Sequence, residues 1–544
     1  MDARQRSWWA WGREDQQLTT KERSKLATQL TSRFGGTELT QSDPVPFPKT
    51  QMPDVRLSIP SSLERLCTQD SYERALHAHG RGYKDTVRGF YGDFSDAPDI
   101  VAYPNGEQDL VSLLEWAGEQ RCAVVPYGGG TSVVGGVDGG GEWARAYSGV
   151  LSIDMARFDQ VLEIDSVSRA ARIQAGVLGP SLENQLRPHG YTLRHFMQSF
   201  EFSTLGGWLA TRSAGHYASG GTHIDDFVES IRLISPTGSG TSRRLPASGA
   251  GPSPDRLLLG SEGTLGVITE AWMRIQDRPR FKSSAGVHFA TYEQGVSATR
   301  AVVQSGLTPT NCRLLDAQES GTVLSGTGPA GALLVLGFES AAHPVDAPMA
   351  DAVEICLDHG GSIPDGVESE TRGASESTPQ TSGGAVHAWR EAFIRGPYLL
   401  SSMVRLGIYS ETFETACTWS AFADLHAAVM NTAAEVLNRT SHGKGRVTCR
   451  FTHVYPDGCA PYFTVQAPIG HGNELAVHDE MKAAISETIA SHCGTITHHH
   501  AIGREHRPWY ERQHPAWFAD SLRAAKAVVD PQSLLVPGVL MSSA

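Results

Sequence analysis

The alternation of apolar and polar positions gives the chain three textures. Residues 20–34 (TKERSKLATQLTSRF) place apolar side chains at helical spacing, and SLERLC and SYERALHAHG (62–80) continue it, so residues 1–94 are expected to form a helical extension. From residue 99 the pattern changes. DIVAYP is a short apolar run, EQDLVSLLEWAGEQ is an amphipathic helix and CAVVPYGGGTS runs from a strand into glycine, which together make a β-α-β unit opening on a glycine loop. Short strands follow at GVLSID, QVLEID and ARIQAG, with a helix at PSLENQLRPHG, and this α+β lobe extends over 95–278. Within it, the Ser-, Gly- and Pro-rich residues 235–256 read as a surface hairpin or flexible loop.

A second lobe begins near residue 279 and runs to 490. VHFATYEQGVSATRAVVQSG gives a strand and a helix, RLLDAQES an edge, and GALLVLGFES another strand, a β-α-β-β texture of ferredoxin-like type. Residues 365–385 are polar and poor in aromatics and read as a mobile loop beside that lobe. Residues 491–544 form a last segment, in which the short strand GTIT precedes His498-His499-His500. In an extended backbone His498 and His500 point one way and His499 the other. The histidines can serve proton transfer, anion binding or a polar surface; adjacent histidines rarely share one ion, so no metal is expected.

Composition narrows the function. The net charge is −13 and the basic residues are scattered, which argues against a nucleic-acid surface. No run of eighteen or more residues is both uncharged and predominantly apolar, as a membrane span would be, and the N-terminus lacks the apolar core of a secretory signal, so a soluble cytoplasmic protein is expected. Trp8, Trp9 and Trp11 beside Arg4 and Arg6 offer packing against the body or a peripheral membrane contact. The eight cysteines show no CxxC pair and read as buried thiols of a reducing compartment.

Pro126-Tyr127-Gly128-Gly129-Gly130-Thr131-Ser132 ends an apolar strand, and consecutive glycines let backbone amides approach a diphosphate without Cβ obstruction. It is neither GxxxxGK[ST] nor a GxGxxG entering a helix, which disfavours nucleoside triphosphate hydrolysis and a nicotinamide site. Leu205-Gly206-Gly207-Trp208 and Gly260-Ser261-Glu262-Gly263-Thr264-Leu265-Gly266, each flanked by strand-like apolar residues, are two further places where backbone can approach a planar cofactor.

In these stretches, and in Trp11-Gly12, FEFSTLGGWLATRSAG, RLLDAQ, ETFETACTW, CRFTHVYPDG and THHHAIG, the chain resembles FAD-binding flavoproteins of the vanillyl-alcohol oxidase (PCMH-type) superfamily and, within it, the alkyldihydroxyacetonephosphate synthase family. The resemblance implies a two-lobed FAD-binding domain covered by a substrate (cap) domain, with non-covalent FAD and a homodimer. It places Pro126, Gly128, Gly129, Gly130, Thr131 and Ser132 on the diphosphate, Ser199, Thr204, Gly207 and Thr211 along the flavin, and Glu262, Gly263, Thr264, Gly266 and Ile268 around the rest of the pocket. The implied reaction exchanges the acyl group of an acyl-dihydroxyacetonephosphate for a long-chain alcohol through a flavin N5 adduct, making the ether bond of ether lipids. Tyr462 and His498, His499 and His500 would transfer protons, and Arg313 and Arg450 would bind the small-molecule or lipid-like substrate.

The chain departs from that family at four places. Leu400-Ser401 stands where arginine and aspartate are expected, Met197-Gln198-Ser199 replaces Pro-Asp-Ser, Ala501 replaces glycine, and His216-Tyr217 follows TRSAG. The missing arginine leaves open a second reading, an FAD-dependent oxidase or dehydrogenase acting on a hydroxy acid or specialised metabolite.

Overall fold

The computed structural model describes residues 5–215, 223–324, 330–371 and 385–542. The glycine loop grows from a four-stranded sheet ordered Cys67–Thr68, Ile100–Ala102, Val150–Asp154, Ala123–Tyr127. Its last three strands are parallel, and parallel neighbours need a crossover, supplied by the helix Glu107–Gln120. That helix buries Leu110, Leu113, Leu114 and Ala117, one stripe at 3.6-residue spacing, and Arg121 ends it in the left-handed conformation (φ 52°). The free side of Ala123–Tyr127 is taken by the C-terminal tail. Val124 bridges Leu535 in parallel, with Val124 N donating to Leu534 O at 2.8 Å and Val536 N to Val124 O at 2.9 Å.

A second, antiparallel sheet completes this lobe in the order Val161–Asp165, Ala170–Gln174, Val267–Arg274, Val228–Ser235, Gly238–Thr241. The Ser/Gly/Pro-rich stretch contains the hairpin strand Gly238–Thr241 and the short helix Pro254–Leu258.

The cap is built on eight strands, in the order Val367–Thr371, Phe281–Phe289, Ala332–Ser340, Asn311–Leu315, Arg446–Val454, Gly458–Pro468, Ile408–Glu414, with Cys417–Thr418 pairing Gly458–Pro468 beside this path. Both faces are covered. Leu334 and Leu336 pack with Val302, Val353, Val429 and Ile485 of the outer helices, whereas Leu333 and Val335 pack with Trp389 of the helix Ala385–Arg405, the two-residue period of a strand buried on both sides. RLLDAQES is therefore not an edge. Asn311–Leu315 lies between two partners and buries Cys312, Arg313, Leu314 and Leu315.

The extension is helical at Thr20–Arg33, Ser71–Leu76 and Tyr83–Phe90. SLERLC is not helical: Leu63 and Leu66 are buried in turns, because Cys67–Thr68 is drawn into the sheet by Ile100–Ala102. Trp9 and Trp11 are buried; Trp9 joins the cap core and Trp11 meets Phe202 edge-on at 5.6 Å. All eight cysteines are free; Cys493, against expectation, is exposed because it lies in the turn after the helix Glu474–Ser491. No helix among the described residues is long and apolar enough to cross a membrane. Most of the polar loop expected at 365–385 lies outside the described residues, although Val367–Thr371 is a strand.

Candidate active site

Three glycine stations, separated by up to about 140 positions in sequence, meet at one end of the first lobe. A Cβ at Gly129 would stand 1.7 Å from the Phe202 carbonyl oxygen, and one at Gly128 would stand 2.4 Å from Thr204 Oγ1. Gly130 adopts φ 64°. The loop 128–130 is thus pressed against 202–204, and only glycine permits that approach. Thr204 caps Leu205–Thr211, its hydroxyl accepting from Gly207 N at 3.3 Å. Leu205–Trp208 is helical rather than strand-like, because Thr204 supplies the cap and Gly206 abuts Ala175. A Cβ on Gly207 would meet only that Thr204 hydroxyl, leaving open space beside the loop.

The third station reaches the same place through Gly263, whose Cβ would touch Pro126 Cγ at 3.2 Å and Val536 Cγ2 at 3.1 Å. Glu262, in the left-handed region at φ 50°, accepts from Ile502 N at 2.8 Å and Gly503 N at 2.9 Å. Burial pushes its carboxyl up to about 7 despite those two amides. The other expected residues hold the framework. The Thr211 hydroxyl donates to Gly207 O at 2.8 Å and that of Thr264 to Ser261 O at 2.7 Å. Ser199 O receives Phe202 N and Ser203 N, Gly266 sits against Leu233, and Ile268 is buried in the antiparallel sheet. Ser132 Oγ receives Gly136 N at 3.0 Å, and Thr131 beside it is half-buried. Backbone amides freed of Cβ obstruction next to the open side of Gly207 fit a diphosphate-bearing cofactor.

Above them lies the inner face of the cap sheet. Tyr462 pairs across strands with Glu414 on one side and Arg450 on the other. Arg450 Cζ lies 4.0 Å from the centroid of the Tyr462 ring and its guanidinium bonds Glu319 at 2.6 Å. Burial opposes the Arg450 charge, but Glu319 more than restores it. Burial likewise raises the Tyr462 phenol. Register places Arg313 on the same face, since Leu315 pairs with Arg450 and residues two apart share a side. Its guanidinium lies under Trp389 (5.1 Å) and Phe393 (5.8 Å).

The three histidines do not alternate, and GTIT is not a strand. Glu414 is the cause. Its carboxylate receives the amides of His498 (2.8 Å), His499 (3.1 Å) and His500 (2.9 Å), together with the Thr497 hydroxyl. A strand cannot aim three consecutive amides at one acceptor; a bend can. His499 then stacks on Tyr462 (6.1 Å, 18°) and His500 meets it edge-on (5.5 Å, 87°). His498 turns to His453, to the Tyr455 hydroxyl at 2.7 Å and to His223 Nε2 at 3.2 Å. Burial would raise the Glu414 carboxyl, yet the His499, His500 and His498 imidazoles around it carry it well below the usual range. Burial lowers His498 and His453 strongly and His500 to about 4, so these imidazoles are neutral bases at neutral pH.

Glu414, His453, Tyr455 and His223 were not singled out from the sequence, although Glu414 lies in ETFETACTW and His453 and Tyr455 lie in CRFTHVYPDG. Gln198 donates to Phe393 O at 3.1 Å, Leu400 packs on the cap core, and Ala501 holds a left-handed φ of 73° where glycine was expected. His216 and Tyr217 lie outside the described residues.

Residues 98–242 match the family described as FAD binding domain, and residues 278–540 that described as FAD linked oxidases, C-terminal domain. The fold and site therefore define a flavoenzyme whose cofactor is FAD. An alkyldihydroxyacetonephosphate synthase of Trypanosoma brucei brucei is 30% identical over 500 residues, 87% of this chain and 78% of that protein. The chain belongs to the alkyldihydroxyacetonephosphate synthase family. More distantly, glycolate oxidase subunit GlcD of Bacillus subtilis is 24% identical over 457 residues, 82% of this chain and 90% of that protein. A solved alkyldihydroxyacetonephosphate synthase structure shares the fold, with TM-score 0.79 at 23% identity over 98% of this chain and 97% of that one.

Proposed function

We propose that the enzyme exchanges the acyl group of an acyl-dihydroxyacetonephosphate for a long-chain alcohol. The observation that carries this reading is the convergence of Tyr462, His499 and His500 on Glu414, on the sheet face that also carries Arg450 and Arg313. Gly128 to Ser132 and Gly207 would hold the diphosphate, and FAD when bound supplies the electron-accepting centre. The chain's own part is positioning and proton transfer. Neutral imidazoles can take a proton from the substrate carbon, and the phenol of Tyr462 can relay it to His499 or His500. Glu414 fixes the backbone of all three histidines and stabilises positive charge that develops on His499, whose Nδ1 is 3.3 Å from its carboxylate. Arg313 and Arg450 place positive charge where a phosphate would be held.

An oxidase or dehydrogenase acting on a hydroxy acid is favoured by one observation: Leu400 places an apolar side chain on the cap core where the family resemblance expects a cation. Mixing FAD-loaded protein with palmitoyl-dihydroxyacetonephosphate and assaying palmitate, then adding hexadecanol and assaying alkyl product, separates the two. Palmitate release with alkyl product supports exchange. No release, with flavin bleaching by a hydroxy acid, refutes it. An ether-lipid product, a homodimer, a cytoplasmic location and a peripheral membrane contact belong to the same proposal. With Trp9 and Trp11 buried and Trp8 packed edge-on against Phe47 and Tyr72, such a contact needs a surface other than the N-terminal tryptophans.

A further inference from the structure

Around the His498 ring gather the imidazoles of His223, His453 and His499 and the hydroxyl of Tyr455. One ring nitrogen from each of His453, His498 and His499 lies within 4.8 Å of the other two, and the Nδ1 atoms of His498 and His499 are 3.1 Å apart. Tetrahedral zinc with nitrogens at about 2.0–2.1 Å holds its ligand atoms roughly 3.3–3.4 Å from one another. The two Nδ1 atoms are thus near that spacing, and the 4.8 Å limit leaves the third nitrogen at most about 1.5 Å to close.

Orientation is fixed from outside. The Gly215 carbonyl can only accept, so His453 Nε2, 2.7 Å away, carries the hydrogen. Its Nδ1, buried and without a hydrogen-bond partner among the described residues, is left with a bare lone pair. His498 Nε2 has two groups able to take its hydrogen, Tyr455 OH at 2.7 Å and His223 Nε2 at 3.2 Å, which frees its Nδ1. Handing the second N–H to a nearby acceptor is how metal-binding imidazoles are held in place. The Glu414 carboxylate, 3.3 Å from His499 Nδ1, supplies negative charge beside the cluster.

The geometry points to a site for a divalent transition-metal ion of the zinc type, held by His453, His498 and His499 with one coordination position open. An extended backbone would separate the His498 and His499 rings; by gathering three amides into a bend, Glu414 brings the two together beside His453. A bound ion takes imidazole lone pairs that would otherwise accept protons, so metal binding and proton transfer at the bend exclude one another. The site itself does not depend on which substrate the enzyme uses.

The test uses FAD-loaded protein carrying Cys493→Ser, to remove the exposed thiol, dialysed against chelator and titrated with zinc chloride in a calorimeter. One site per chain with micromolar affinity or better is expected. His453→Asn and His498→Asn should each weaken it by about tenfold or more while FAD content stays unchanged. Tyr455→Phe, which keeps all three ligands, should weaken it by less. In a parallel titration, cobalt(II) should develop the visible absorption of a tetrahedral site. No one-to-one binding up to about 1 mM free zinc, or binding indifferent to His453→Asn, overturns the site.

Discussion

Replacing Glu414 by alanine removes the acceptor around which residues 497–500 are wound. The side chain is 1% exposed, so the amides of His498, His499 and His500 would be left facing an apolar void. Each buried unsatisfied donor costs about 1–3 kcal/mol, and water admitted to the space limits the total, so a loss of about 3–5 kcal/mol is expected. Glu414→Gln keeps the shape but turns an NH2 group toward some of the same donors, and should lose about half as much. The folded-state pKa of this carboxyl is depressed. Its contribution is therefore fully present above the unfolded value near 4.3 and disappears as pH falls through the lower folded value. Thermal unfolding followed by flavin fluorescence at pH 7 should show both variants destabilised, alanine more than glutamine. Below about pH 4 the wild type should lose the advantage it holds over Glu414→Gln. A Glu414→Ala protein that melts with the wild type at pH 7 would refute the account of the bend.

Gly129→Ala cannot be accommodated without moving the loop off Phe202, and should purify with little flavin, read from the ratio of visible to ultraviolet absorbance. Tyr462→Phe should retain FAD and stability but lose about 10²–10⁴-fold in turnover, measured with the substrate found to be processed. Arg450→Gln strands the partly buried Glu319 carboxylate and should cost about 1–3 kcal/mol in denaturant unfolding, much of it recovered by adding Glu319→Gln. Glu262 behaves in the opposite sense to Glu414. Its folded pKa is raised to about 7, so the folded state binds the extra proton and stability declines by about 3 kcal/mol between pH 4.5 and 7. Glu262→Gln should flatten that part of the stability–pH profile.

Local chemistry was legible in the sequence. A glycine run after an apolar strand reports backbone that must come close to something, and the contacts at Gly128 and Gly129 show how close. The three histidines stood out after a short apolar run as candidates for proton transfer or anion binding, whereas Tyr462 was singled out only through the family resemblance. What stayed hidden depends on distant residues meeting. Glu414 reads as one acid in a strand, and nothing nearby announces that its partners lie more than eighty positions ahead. The histidine alternation failed for the same reason, since a carboxylate from another strand outweighed the local extended preference. The internal position of Asn311–Leu315 was hidden because five residues are too few to display burial on both faces.

The pairing of Val124 with Leu535 has a bearing on how the protein is made. On the ribosome, the strand that feeds the glycine loop waits for about 400 more residues before its neighbour emerges, roughly 20–80 s at ~5–20 residues per second. Throughout that interval an apolar edge stands open to any other nascent strand. The hazard is one of birth order rather than of finished stability, and nicks or premature stops near the C-terminus should yield insoluble, colourless chains even though Tyr462 and His498 to His500 are all retained. Fusing residues 530–542 ahead of the N-terminus through a long flexible linker would reverse that order and should raise the yield of yellow protein.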